Sequence, residues 1–118
     1  MVDIFEDRLS IDAGCASDIP VNTNTRFQGS VSYHLVNNGD EDGIINIFVT
    51  LSDSAGHSEP QSFTLTTVPA KGDFTDSHQV FLNASYENPG PVTVTMQIQF
   101  SGALNDTKFA QCGFNVLG

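Results

Sequence analysis

Three groups of residues in this chain have types and spacings that could do chemistry. Asn38, Asp40 and Asp42, followed by Gly43, place oxygen ligands at every second position before a turn glycine, as the opening of a calcium loop does. Position twelve of such a loop, which must supply a bidentate carboxylate, falls on Val49, and a strand stands where the exiting helix should be. An EF-hand is therefore excluded. Calcium would need a remote carboxylate such as Asp73 or Asp76 to close its shell. The alternative is a plain connection between strands, with Asn38-Gly39 and Asp42-Gly43 at positive φ and the acids solvating the loop. The turn is the expectation, with no cofactor. The second group is His34, His57 and His78, of which "SAGHS" and "DSH" set histidine near serine. No Gly-x-Ser-x-Gly elbow supports a nucleophile, and no His or Cys pair has zinc-ligand spacing, so no catalytic residue is assigned and no enzyme is expected. The third group is Cys15 and Cys112, which lie 97 positions apart.

The elements that would position these groups are strands. Phe27, Val31, Tyr33 and Leu35 share one parity, as do Ile45, Ile47, Val49 and Leu51. Phe63 with Leu65 and Val80 with Leu82 read the same way. The clearest case is Val92, Val94, Met96, Ile98 and Phe100, with Thr93, Thr95, Gln97 and Gln99 on the other side. The last strand turns Ala110, Cys112, Phe114 and Val116 inward. This period of two marks half-buried strands, and no apolar run holds a helical period. With "RLSID" at residues 8 to 12 as a further strand, about seven strands are predicted in one all-β, antiparallel, immunoglobulin-like (fibronectin-III-like) β-sandwich over residues 1–118. Residues 1–25 form an N-terminal segment with the first strand, and 26–118 form the core.

Charge narrows the partners. Only 4 basic side chains oppose 14 acidic ones, a net charge of −10, so nucleic acid and anionic lipid are repelled. No apolar run approaches the roughly 18 residues of a membrane helix, so no membrane insertion is expected, and the opening "MVDIFEDRLS" lacks the order of a signal peptide.

The stretch "VSYHLVNNGDEDGIINIFVTLSDSAGH", followed by "VPAKGDFTDSHQVFL" and "ENPGPVTVTMQIQF", resembles the bacterial and archaeal immunoglobulin-like modules of the CARDB and FxLYD kind over residues 28 to 100. The first 25 residues depart from that pattern, and Val92 stands where those modules often carry an aromatic residue. The resemblance implies a non-enzymatic surface or envelope module for adhesion, spacing or assembly. In sandwiches of this type the first and last strands run side by side, which makes a Cys15–Cys112 disulfide natural and, with it, an extracytoplasmic location. The other arrangement is two small buried thiols in a cytosolic protein.

Parity also exposes a candidate binding face. Phe48 and Thr50, Thr95 and Gln97, Phe109 and Gln111 all point outward with Ile44, Asn46, Thr93, Gln99 and Asn115, and none is charged. Either residues 1–25 fold over this face or a partner does. The expected partner is a protein or a second copy, meeting the sheet face or the uncharged edge "FTLTT". The rival function is calcium-assisted carbohydrate binding. Against it stand the lack of tryptophan and the presence of Tyr33 and Tyr86 as the only tyrosines for a sugar to stack on.

Overall fold

Alternating sequence becomes long strands here because each apolar parity finds a second layer to bury against. A computed structural model describes residues 1–15 and 17–118, and for Pro60, Gln61 and Ser62 the backbone alone. Its strands are β1 (Ile4–Asp12), β2 (Ile19–Pro20), β3 (Thr25–Asn37), β4 (Gly43–Asp53), β5 (Ser58–Val68), β6 (Asp73–Ala84), β7 (Gly90–Gly102) and β8 (Asp106–Leu117). They form a three-stranded sheet of order β1-β3-β6 and a five-stranded sheet of order β2-β8-β7-β4-β5. All pairings are antiparallel except the short one between β2 and β8. The two sheets pack face to face as an all-β sandwich.

The core lies between them. Phe27, Val31, Tyr33 and Leu35 of β3 meet Ile45, Ile47, Val49 and Leu51 of β4 and Val94, Met96, Ile98 and Phe100 of β7, all buried. Aromatic rings tie the layers together: Phe27 sits 5.2 Å from Phe114, and Tyr33 meets Phe100 edge-on at 5.5 Å. Strands of this length give an elongated body of 58 × 19 × 17 Å with a loop cluster at each end. Residues 38–42, 69–72 and 103–105 gather with Met1 at one pole; residues 13–15, 17–24, 53–57 and 85–89 gather at the other.

Three sequence expectations need correction. Phe63 and Leu65 do not point inward; they are 64% and 63% exposed, while Val68 is buried. β5 carries both parities, and its register is set by Val68 opposite Gly43 and by a shift between Val49 and Thr50. The first and last long strands are not neighbours either. β1 pairs with β3, and β8 takes β2. The Cys15–Cys112 bond forms all the same, with Cα atoms 5.9 Å apart, because the chain crosses from one sheet to the other just after β1. Finally, Gly39 and Gly43 do not have positive φ. They are required by close approach: a Cβ on Gly39 would stand 2.0 Å from the Met1 carbonyl oxygen.

Candidate functional site

The loop of the opening motif is organised around a residue that the motif leaves out. Asn37, the last residue of β3, is fully buried. Its Oδ1 accepts from the amides of Gly39 (2.9 Å) and Asp3 (3.2 Å), and its Nδ2 donates to the carbonyls of Glu41 (2.8 Å) and Val68 (3.1 Å). All four hydrogen-bonding positions of the amide are used, so the loop is held from inside. The acids themselves are spread apart. Asp42 accepts from the Ala70 amide at 2.8 Å, and Asp40 and Glu41 accept from the Met1 amine. The Asn38 carbonyl accepts from Lys71 Nζ at 2.7 Å. Asn38, Asp40 and Asp42 are thus not brought together around one point, and no group of three or more His, Cys, Asp or Glu fit to hold a metal occurs among the described residues. Millimolar calcium is expected to leave the melting temperature unchanged, since a micromolar site would add about 4 kcal/mol at a thousandfold excess. A rise of several degrees in a thermal scan would show that the loop rearranges to bind.

At the opposite pole Asp53 ends β4 with its side chain withdrawn from water. Its carboxylate accepts from the Tyr86 hydroxyl (2.5 Å), His57 Nδ1 (2.9 Å) and the amides of Ala55 (3.0 Å) and His57 (2.9 Å). Burial pushes Asp53 up, but the donors from Tyr86 and His57 outweigh it and hold the carboxyl below its ordinary value. Burial and the Asp53 carboxylate together raise the Tyr86 hydroxyl. The ionised carboxylate assigns the His57 proton to Nδ1, which is the histidine orientation of a catalytic dyad. His57 lines a cleft of about 490 Å³ with Ser54, Ser85 and Glu87. Ser54 Oγ, however, accepts from the Thr93 amide at 3.0 Å. The cluster explains itself as a brace, fastening the β4–β5 turn to Tyr86 in the β6–β7 connection.

The remaining histidines act on the three-stranded sheet. His34 points outward from the central strand, with Nδ1 2.9 Å from Asp7 of β1 and Nε2 2.8 Å from Asp73 of β6. Both nitrogens can donate only in the imidazolium, and the carboxylates of Asp73 and Asp7 raise the pKa above the ordinary 6.5. The clasp therefore stabilises the fold fully below pH 6.5, and its contribution is lost as pH rises through the higher folded value. Thermal unfolding at about pH 6 and about pH 9 is expected to show a drop in wild type that His34→Gln shrinks. An equal drop in both proteins would assign the effect elsewhere. On the inward side, His78 Nε2 meets the Tyr33 hydroxyl at 3.1 Å and Asp76 at 3.5 Å.

The uncharged face forms as one surface and is wider than the sequence indicates. Phe48 stands opposite Phe63 on β5 and Gln99 on β7; Thr50 stands opposite Gln97, and Gln97 opposite Phe109 on β8. Gln111 Nε2 donates to Thr95 Oγ1 at 3.1 Å. Ile44 (57% exposed), Phe48 (38%) and Phe109 (61%) share this face with Phe63 and Leu65. The described part of residues 1–25 does not cover it: β1 lies in the other sheet, and β2 lies against the edge of β8. The missed signal for Phe63 and Leu65 was Val68, whose parity within "FTLTTV" sets Thr64 and Thr66 inward. Carboxylates do stand on strands of the opposite sheet, Glu6 and Asp7 on β1 and Asp73 and Asp76 on β6. Tyr33 and Tyr86 are 2% and 4% exposed, which removes both as platforms for a sugar.

No protein-family model and no curated protein matches this chain. Among solved structures it is similar to a β-glucosidase from Listeria innocua crystallised with glucose, at 11% identity and a TM-score of 0.39. The likeness covers 100% of this chain and 16% of the glucosidase chain. No helix in the described residues is long and apolar enough to cross a membrane.

Proposed function

We propose that this chain is a non-enzymatic interaction or assembly module of immunoglobulin-like architecture that works outside the cytoplasm through the outer face of its five-stranded sheet. The observation that carries the reading is the exposure of Ile44, Phe48, Phe63, Leu65 and Phe109 on one surface without charge. An acidic protein that leaves such a patch in water retains an association liability unless the patch has a use. The strand order supports the immunoglobulin-like assignment: three strands oppose a sheet in which the last two strands join the middle hairpin. The disulfide supports an oxidising compartment.

Phe48→Ser with Phe109→Ser is expected to change stability by no more than about 1 kcal/mol, because both side chains already meet water. Urea unfolding reads this, and a loss of several kcal/mol would mean that the rings are structural. The surface itself is tested by panning a random displayed-peptide library on the native protein. Peptides that lose binding to the double variant support the face, and peptides that converge on the Asp53–His57 cleft would displace it. Glycan arrays with and without calcium, and an ester and peptide turnover panel, would expose the carbohydrate-binding or hydrolytic alternatives.

A further inference from the structure

We propose that the partner of this face is a second copy of the chain, the two five-stranded sheets stacking about a two-fold axis; the inference rests on the interaction reading above and names its occupant. The argument is one of charge placement. No outward position of β4, of β5 from Phe63 to Thr67, of β7 or of β8 carries a charge. A charged surface docked there would surrender its hydration with nothing opposite to replace it. The complement must therefore be apolar rings interspersed with hydroxyls and amides, and the same face on another copy has that composition. Asn46, Gln97, Gln99 and Asn115 carry both donors and acceptors, so they can satisfy one another across a self-interface.

Electrostatics at longer range favours this stacking over other self-contacts. Each copy bears a net charge of −10. Asp7, Asp12, Asp73 and Asp76 lie on β1 and β6 of the opposite sheet, and Asp40, Glu41, Asp42, Asp53 and Glu87 lie at the poles. Stacking through the five-stranded sheets leaves the acidic three-stranded sheets outermost, the arrangement that separates them most. Size is adequate. At roughly 200 Å² for each large side chain, the exposed fractions leave on the order of 500 Å² of apolar side chain in water. The threonines and amides between them bring the face towards the roughly 800 Å² per partner of a stable interface.

The face is also lopsided in a way that suits a two-fold axis. Phe48, Phe63 and Leu65 cluster towards β5, whereas Phe109 on β8 has no exposed apolar neighbour along its strand until Leu117 at the far end. An axis running along the strands at the β4–β7 seam lays the β5 flank of each copy over the β8 flank of the other. Phe109 then meets the apolar cluster of the second copy in both halves of the dimer.

Sedimentation equilibrium of the intact disulfide-bonded protein tests this. A reversible monomer–dimer equilibrium is expected, and it should tighten as salt rises from about 0.02 M to about 0.5 M, because screening weakens the repulsion between the two acidic bodies. Phe63→Ser and Phe109→Ser should each weaken it at least about tenfold. Gln97→Glu, which keeps the shape and adds charge at the centre, should do the same, with circular dichroism unchanged in all three variants. A protein monomeric throughout the concentration range overturns the dimer, and so does one whose dimer loosens with salt. A dimer indifferent to Phe109→Ser and Gln97→Glu also overturns it. Phe109 lies three strands, about 14 Å, from β5, so that result would place the contact at the β5 edge instead. If the protein stays monomeric while panned peptides still select the face, only the choice of partner falls; if the peptides also avoid the face, the interaction reading falls with it.

Discussion

Removing the Cys15–Cys112 bond is expected to cost about 4 to 5 kcal/mol of unfolding free energy, the largest single effect in the molecule. The two cysteines are separated by 97 positions, and in the chain-entropy account closing so long a loop withdraws most of the freedom of the unfolded chain. The bond fastens the segment that crosses between sheets to β8, where β2 adds only the pairs Ile19–Val116 and Pro20–Leu117. Urea unfolding of the oxidised protein and of the Cys15→Ala/Cys112→Ala variant measures the difference. The variant should also unfold with a steeper dependence on urea, because its unfolded state exposes more surface. Coincident midpoints would show that the crossing segment is held by its packing alone.

Asn37→Ala is expected to destabilise by on the order of 3 kcal/mol, and Asn38→Ala by no more than about 0.5 kcal/mol, although the two residues are adjacent and chemically identical. The difference lies in what each amide does. Truncating Asn37 strands the Gly39 amide and the Val68 carbonyl at buried positions, and the Asp3 amide and the Glu41 carbonyl at partly buried ones. Asn38 is exposed, and its backbone alone makes its hydrogen bonds, from its amide to Asp3 and from Lys71 to its carbonyl. Thermal or urea unfolding of the two variants side by side decides the point. Equal losses would mean that the loop is stabilised by its own turn chemistry and not from the core.

Alternation in β3, β4 and β7 was enough to read the two-layer core, because each strand is buried on one face along its whole length and a slip of one residue would expose every apolar side chain. β5 was not readable in this way. It is an edge strand whose two parities are nearly balanced, so its register comes from its partner β4 and from the shift near Thr50. That single inversion hid Phe63 and Leu65, two of the five large apolar side chains of the candidate face. Asn37 was hidden for another reason. As the residue before an Asn-Gly pair it looks like turn punctuation, and only the packing of Asp3, Glu41 and Val68 around it makes it a hub. The clasp at His34 depends on β1 and β6 flanking β3, a long-range pairing that no local pattern in "SYHLV" encodes.

The path of the covalent chain has a mechanical meaning. Met1 lies beside Gly39 at one pole and Gly118 beside Pro89 at the other, so tension applied between these two residues runs along the 58 Å axis. Tension entering at Met1 travels down β1 to Cys15, crosses the disulfide to Cys112 and leaves through the end of β8. Residues 16–111 are bypassed. Under such a load residues 1–15 and 112–118, which include β1 and the end of β8, are the part that can be drawn out, while β4, β5 and β7 lie inside the covalent loop and carry no tension along their own backbone.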